Sequence, residues 1–146
     1  MQPDPVQSIP ISEPTSAPAR RFDFDTMLIA LNHYEGDHGD FEKGAIPVAA
    51  AKGMGIMIIK AIRPREKAAE VTAEELLRYA LSLDHVNAAV IGTDSVEVVR
   101  KNTEILRGFR KMSPEEMARV GTVIATAFRT REFPWMKADY RDGVLA

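Results

Sequence analysis

The sequence predicts an α/β fold built on parallel strands. Three short apolar stretches alternate with stretches of helical period, and the connections between them are short. This alternation is typical of βα units, in which each helix returns the chain so that the next strand runs parallel to the last. Three strands cannot close a barrel, so the sheet should have two open edges. We expect these edges at the strands built from MLIALN and IMIIK.

Composition indicates one domain of ordinary soluble character. The 146 residues are 45% hydrophobic and 27% charged with a net charge of -2, so no basic field favours nucleic acid. The absence of cysteine excludes disulfides, thiolate catalysis and Cys-ligated metals. The apolar runs are too short to cross a bilayer, and the amino terminus lacks a signal-peptide pattern. We therefore expect a cytoplasmic protein that binds neither nucleic acid nor membrane.

The two ends of the chain are expected to lie outside the folded unit. Residues 1–19 hold five of the nine prolines and have no apolar period, which is typical of disorder. We therefore assign residues 1–20 to a disordered leader, 21–130 to the α/β unit and 131–146 to an irregular tail.

The first βα unit starts with the continuous apolar run 27–31, which is the mark of a parallel strand covered on both faces. The polar loop 33–40 follows, and its two histidines and three carboxylates suggest a metal site. The spacing matches no helical His-x-x-x-His pair, and two glycines leave the side chains without a fixed arrangement. We expect a solvated loop without metal. The helix after it should begin near Ile46 or Pro47 and end at Gly53.

The second unit has a similar apolar strand that ends at Lys60. A lysine at this end of a parallel strand faces the region where α/β proteins bind ligands, so Lys60 is a ligand contact or a residue that extends its amine into water at the rim. The basic loop 61–71 should be mobile, and either solvated or ordered over an anionic ligand. Thr72 and Glu75 form a predicted capping box at the start of the next helix.

The third unit, residues 86–102, is the most informative stretch, because its strand stops at Gly92 and turns directly into an amphipathic helix. Such a turn aims backbone N–H groups at one spot, which outlines an anion site. Asp94 is expected to cap the helix, and Glu97 to complete a capping box. Asn102 lies within the apolar stripe, where a buried amide needs a partner; a ligand's edge and a backbone carbonyl are both candidates. The stripe comprises Val98, Val99, Ile105, Leu106 and Phe109.

A last helix is predicted from Ser113, which is followed by a proline and two glutamates. Its apolar positions continue at helical spacing to about Arg129. This helix is expected to pack against the others.

From Phe22 to about Val120 the chain resembles the carboxyl-terminal part of the aldo/keto reductases, NAD(P)H-dependent oxidoreductases built as (β/α)8 barrels. The resemblance rests on FDTMLIALN, KGMGIMIIKAIRP, LLRYALSLDHVNAAVIGTDSVEVVRKN and MSPEEMARV, of which the third is the most specific. It implies a partial (β/α)8 barrel made of the last three parallel βα units and a closing helix.

The resemblance also implies a cofactor site for NADP or NAD. The residues that it assigns by position are Lys60, Gly92, Thr93, Ser95, Lys101 and Asn102. The turn would approach the adenosine phosphate, and Asn102 would meet the adenine edge. Lys101 stands where the family usually has Gln or Glu, and Lys60 where many members have the aromatic residue that stacks on the nicotinamide. The place of the usual arginine for the 2′-phosphate falls near Val98, which leaves NADP and NAD both open.

The family's catalytic Asp, Tyr, Lys and His lie on earlier strands, and residues 1–21 do not supply them. Tyr34 and Tyr79 do not match the catalytic motif. Without a proton donor and electrostatic stabilisation of the carbonyl oxygen, the main sources of catalysis are missing. The resemblance therefore implies a fragment without catalytic residues, inactive alone. The alternative is a noncatalytic binding or assembly module that pairs with a complementary half-barrel or with itself.

Overall fold

The computed structural model describes residues 23–31, 41–62 and 68–128. In this part of the chain it contains strands β1 (Thr26–Ala30), β2 (Gly55–Ile59) and β3 (Val86–Val90), and helices α1 (Ile46–Ala51), α2 (Ala73–Ser82), α3 (Val96–Arg107) and α4 (Pro114–Phe128). A π-helical turn, Phe41–Ala45, leads directly into α1. The predicted α/β class is confirmed. The predicted leader, the loop 33–40, residues 63–67 of the basic loop and the tail lie outside the described residues.

The three strands form one parallel sheet in the order β1-β2-β3. The expectation that the IMIIK strand forms an edge is wrong, because each crossover advances the chain by one strand and leaves β2 in the centre. Between β2 and β3 the register shifts after Ile56, so that Val86 faces Ile56 and Ala88 faces Met57. The extra residue is Asn87, whose Oδ1 accepts a hydrogen bond from the Ile56 N–H at 2.7 Å. Its side chain thereby satisfies the donor that the bulge leaves unpaired.

One face of the sheet carries the hydrophobic core. Ile29, Ile56 and Ile58 point to this face and are buried against α1, α2 and α4. Right-handed crossovers place every connecting helix on the same side of the sheet, which explains why the core forms there. The fully buried side chains of the described residues include Leu31, Ile56, Ile58, Leu76, Leu77, Val71, Val120 and Ile124.

The other face of the sheet is open. The residues on it pair across the strands as Leu28, Met57 and Ala88, and as Ala30, Ile59 and Val90. Leu28 is 53% exposed and Val90 is 52% exposed. The prediction that the apolar strands are covered on both faces is therefore wrong for this chain by itself, because the connecting helices cover one side and the described residues supply no second layer.

The boundaries of α1, α2 and α4 follow the predicted signals. At α2 the Thr72 Oγ1 accepts from the Glu75 N–H at 3.1 Å, and the Glu75 carboxylate accepts from the Thr72 N–H at 2.8 Å, which confirms the capping box. At α4 the Ser113 hydroxyl accepts from the Glu116 N–H at 3.2 Å. Gly53 follows α1 with φ +73°, a conformation that costs glycine little.

The capping box makes stability depend on pH. The Thr72 N–H, and then the guanidinium of Arg119, hold the pKa of Glu75 below its ordinary value. A depressed folded-state pKa stabilises the fold above the unfolded pKa, and this contribution is lost as pH falls through the folded pKa. Between about pH 5 and pH 3, the free energy of unfolding should therefore fall less in Glu75→Gln than in the wild type, and at neutral pH the variant should be less stable by about 1 kcal/mol.

Urea unfolding at a series of pH values measures this difference. Glu74→Gln is the matched control, because Glu74 is exposed in the same helical turn and lies outside the capping box. Parallel pH profiles for the wild type and Glu75→Gln would contradict the assignment.

Candidate functional site

A cleft of about 810 Å³ opens where β2 and β3 end. Its walls are the carboxyl ends of these two strands, the first residue of α2 and one side of α3. Ligands of open parallel sheets bind beyond the carboxyl ends of the strands, and the volume lies within the range of small-molecule sites. Lys60 and part of the turn after β3 lie on the wall of this cleft.

Four of the residues named from the sequence lie on the wall of the cleft: Lys60, Gly92, Lys101 and Asn102. Thr93 and Ser95 lie in the same turn, both exposed, but are not part of the wall. The turn after β3 and one side of α3 bring Gly92, Lys101 and Asn102 together, and β2 brings Lys60 to them across the sheet.

Ser95, and not Asp94, caps α3. Its extended backbone, with φ -150° and ψ 157°, directs the Oγ to accept from the Val98 N–H at 3.3 Å. Glu97 does not complete a capping box, because with Ser95 as the cap the third helical position is Val98. The Glu97 carboxylate instead pairs with Lys101 one turn along the helix. The predicted cap at Asp94 is wrong by one residue, and the Asp94 side chain instead belongs to the cleft wall.

Lys60 holds an unusual backbone conformation at the end of β2. Its φ is +64°, in the left-handed region, which costs a residue with a Cβ roughly 1–2 kcal/mol. The carbonyl of the preceding residue, Ile59, is fixed by the Leu31 N–H at 2.9 Å. Backbone strain of this kind is frequent at ligand sites. The side chain is exposed, and no carboxylate of the described residues forms an ion pair with it.

The second cation of the cleft, Lys101, is already paired. Its Nζ lies 2.9 Å from the Glu97 carboxylate, and the hydrogen bond from this ammonium lowers the pKa of that carboxyl group. Both side chains are largely exposed, so the pair is weak and can exchange for another anion. Asp94 adds a negative charge to the same wall. The cleft is therefore only weakly favourable to an anion.

Asn102 is the least satisfied polar group of the cleft. Its Nδ2 is buried and has no hydrogen-bond acceptor among the described residues. Val98 and Ile105, one turn away on either side, are half-buried on the same wall. A buried donor without an acceptor costs about 1–3 kcal/mol. Of the two partners expected from the sequence, a backbone carbonyl is not supplied by the described residues, and a ligand acceptor would recover this cost.

Gly92 leaves open space in the wall. A Cβ built on it would meet no heavy atom within 4 Å, and its φ is not in the left-handed region. The turn therefore does not require glycine for backbone reasons. A side chain placed here would occupy cleft volume without a clash.

Sequence reasoning missed Ala73, the first residue of α2, which lies on the opposite wall. The signal for it was the capping box at Thr72, which marks a helix start after β2.

The predicted apolar stripe of α3 also needs correction, because Val98 and Ile105 face the cleft whereas Val99, Leu106 and Phe109 are exposed. Among the described residues no neighbouring element covers these three side chains, because α3 follows the edge strand.

Within residues 23–31, 41–62 and 68–128, no group of three or more His, Asp or Glu side chains is placed to hold a metal ion. The same residues contain no helix that is long and apolar enough to cross a membrane. No family profile, curated protein or solved structure matches the chain significantly.

Proposed function

We propose that the cleft binds the adenosine end of NADP or NAD, and that the chain is an aldo/keto reductase-like fragment, the last part of a (β/α)8 barrel. The observation that carries the proposal is the buried Nδ2 of Asn102, which lacks an acceptor on the wall of a cleft at the carboxyl ends of β2 and β3. An adenine edge offers an acceptor and a donor side by side, and a primary amide matches both.

The start of α3 supports the phosphate end of the same ligand. The helix dipole and the N–H groups of a first turn stabilise an anion by up to about 2 kcal/mol in partly buried positions. Lys60 and Lys101 add positive charge, and Asp94 opposes it. We therefore propose weak binding, with a dissociation constant near about 1 mM, or roughly -4 kcal/mol.

In this proposal the chain contributes no catalytic residue. Reduction of a carbonyl substrate needs a hydride, which NAD(P)H would supply, and a proton donor, which a complementary polypeptide would supply. The fragment alone is then a nucleotide-binding unit from a family that reduces carbonyl compounds.

Binding is tested by titrating the protein with 2′,5′-ADP and with NADPH while following backbone amide signals by NMR. The two ligands should bind with similar affinity and shift the signals of residues 92–102. Asn102→Ala should weaken both about tenfold, the loss of one hydrogen bond to a buried partner. Gly92→Val should weaken both by filling the open space, whereas Lys60→Ala should change little.

Thr103→Ala is the matched control on α3, since Thr103 is exposed and lies outside the cleft wall. Shifts centred on Lys60, or no shifts at residues 92–102 at saturating ligand, would mean that the adenosine site is not formed in this chain.

A second candidate function is assembly with a complementary half-barrel or with another copy. It is favoured by the open apolar face of the sheet, on which Leu28 and Val90 are half exposed. Apolar surface of this kind, flanked by unpaired strand edges, is typical of an interaction site. Light scattering of the purified chain tests this role: a mass above that of the monomer supports it, and a monodisperse, cooperatively folded monomer contradicts it.

A further inference from the structure

The two edges of the sheet are unlike. At one edge, β3 is followed by α3, and none of the residues of α3 is buried. The described residues place no strand beyond β3 for this helix to cover. At the other edge, β1 begins the sheet, and its outer side has no neighbouring strand among the described residues. Within the part of the chain that the structure describes, α3 at one edge therefore has no strand beyond β3 to pack on, and β1 at the other edge has no strand on its outer side.

Helix α3 is apolar on two sides. Val98 and Ile105 face the cleft, whereas Val96, Val99 and Leu106 lie along another side and are 68%, 46% and 46% exposed. A helix with two apolar sides is expected to pack between two neighbours. The described residues provide the neighbour on the cleft side alone.

The charges at the two edges are complementary. Arg107 is the last residue of α3, and Arg110 lies three residues beyond it; both are exposed and have no ion pair within the described residues. Asp23 and Asp25 are exposed just before β1. Asp23 pairs with Lys52 at 3.3 Å, but its side chain is fully exposed, so this pair contributes little. The arginines form a basic end on one edge and the aspartates an acidic end on the other.

The polarity of the elements brings these ends together. In a βα unit the helix runs back along its strand, so the carboxyl end of α3 lies at the amino-terminal end of the sheet. Asp23 and Asp25 lie at the amino-terminal end of β1. A strand β1 that runs parallel to β3 would therefore place its aspartates next to the arginines.

We infer that a second copy of this chain completes the sheet: its β1 pairs in parallel with β3, beneath the exposed side of α3. Its Asp23 and Asp25 then meet Arg107 and Arg110. A two-fold axis repeats this contact, so that β1 of each copy pairs with β3 of the other. Both edges of each sheet are then paired, and the open faces of the two sheets turn toward each other. This inference rests on the assembly role proposed above and is independent of the cofactor proposal.

Cross-linking in the full-length chain tests the arrangement. Because the sequence has no cysteine, Asp23→Cys and Arg110→Cys each carry one thiol. A short bis-maleimide should give a covalent dimer when the two variants are mixed, and little when either is treated alone, because equal positions lie on opposite sides of the two-fold assembly. Thr122→Cys, on the exposed side of α4, is the control partner and should give little product with Asp23→Cys.

Two other outcomes would overturn the inference. Self-cross-linking of either variant would show that like edges pair, which refutes the β1–β3 contact while leaving the assembly role intact. A wild-type chain that stays monomeric in sedimentation, together with no cross-link in the mixture of the two cysteine variants, refutes the assembly role as well.

Charge exchange provides a second readout. Asp25→Arg and Arg107→Asp should each weaken the association of the two copies about tenfold, whereas the double variant should return to within about threefold of the wild type. Sedimentation velocity over a range of concentrations measures these constants. If the double variant associates more weakly than both single variants, these charges do not face each other.

Discussion

Replacing Leu31 by alanine is expected to remove a large share of the free energy of unfolding of the protein. Leu31 directly follows β1, is 1% exposed and belongs to the core between the sheet and its helices. Truncating a buried leucine removes its transfer free energy and leaves a cavity, at a cost of about 2–5 kcal/mol. A domain of this size is stable by about 5–15 kcal/mol, so the loss is a large share of the total.

The same substitution at Leu28 provides the matched control. Leu28 lies three residues earlier on β1, points to the open face and is half exposed. Leu28→Ala should therefore lower the free energy of unfolding by less than about 1 kcal/mol. Urea unfolding followed by circular dichroism measures both variants, and a dilution series separates folding from association. If Leu31→Ala and Leu28→Ala lower the free energy of unfolding equally at low protein concentration, the open face is covered within a single copy.

Helix starts were predictable where the signal is local. The capping box of Thr72 and Glu75 closes within one turn, so four residues of sequence contain all of its atoms. The cap of α3 was placed at Asp94 and lies at Ser95. Both residue types cap helices well, and the choice depends on which of them takes the extended backbone conformation. That conformation is set by the packing of the turn, which the sequence does not display.

The covering of the sheet was predictable only in part. The apolar run of β1 correctly indicated a parallel strand, and Ile29 on it is buried as expected. The same run also indicated a second buried face, and Leu28 does not meet that expectation. An apolar sequence pattern predicts that a surface is buried, but it does not show whether the residues that bury this surface belong to the same chain.

The residues of the candidate site were also predictable only in part. Gly92 and Asn102 were identified because a strand, a turn and a helix follow one another within one stretch of sequence. Ala73 on the facing wall was missed, because only the packing of α2 beside β3, antiparallel to the strand, brings the first residue of this helix to the cleft. The buried Nδ2 of Asn102 also depends on tertiary packing, which the sequence does not display.

Replacing Leu28 and Val90 together by lysine is expected to convert the assembled protein into a monomer. Both side chains lie on the open face, on β1 and β3, and both are half exposed in the single copy, so lysine can extend its amine into water there at little cost. In an assembly that covers this face, the same lysines would be buried without partners. Each position also loses apolar burial worth about 1.5–3 kcal/mol, so association should weaken by at least about a hundredfold.

Sedimentation velocity at increasing concentration distinguishes the two states, and urea unfolding checks that the variant is still folded. The matched control is Ala118→Lys with Thr122→Lys, which adds the same charge on exposed positions of α4 and should leave association unchanged. If both double variants dissociate, net charge rather than the open face controls the assembly. If the Leu28 and Val90 variant stays assembled and folded, the contact lies elsewhere, because no arrangement that buries this face tolerates two unpaired ammonium groups in it.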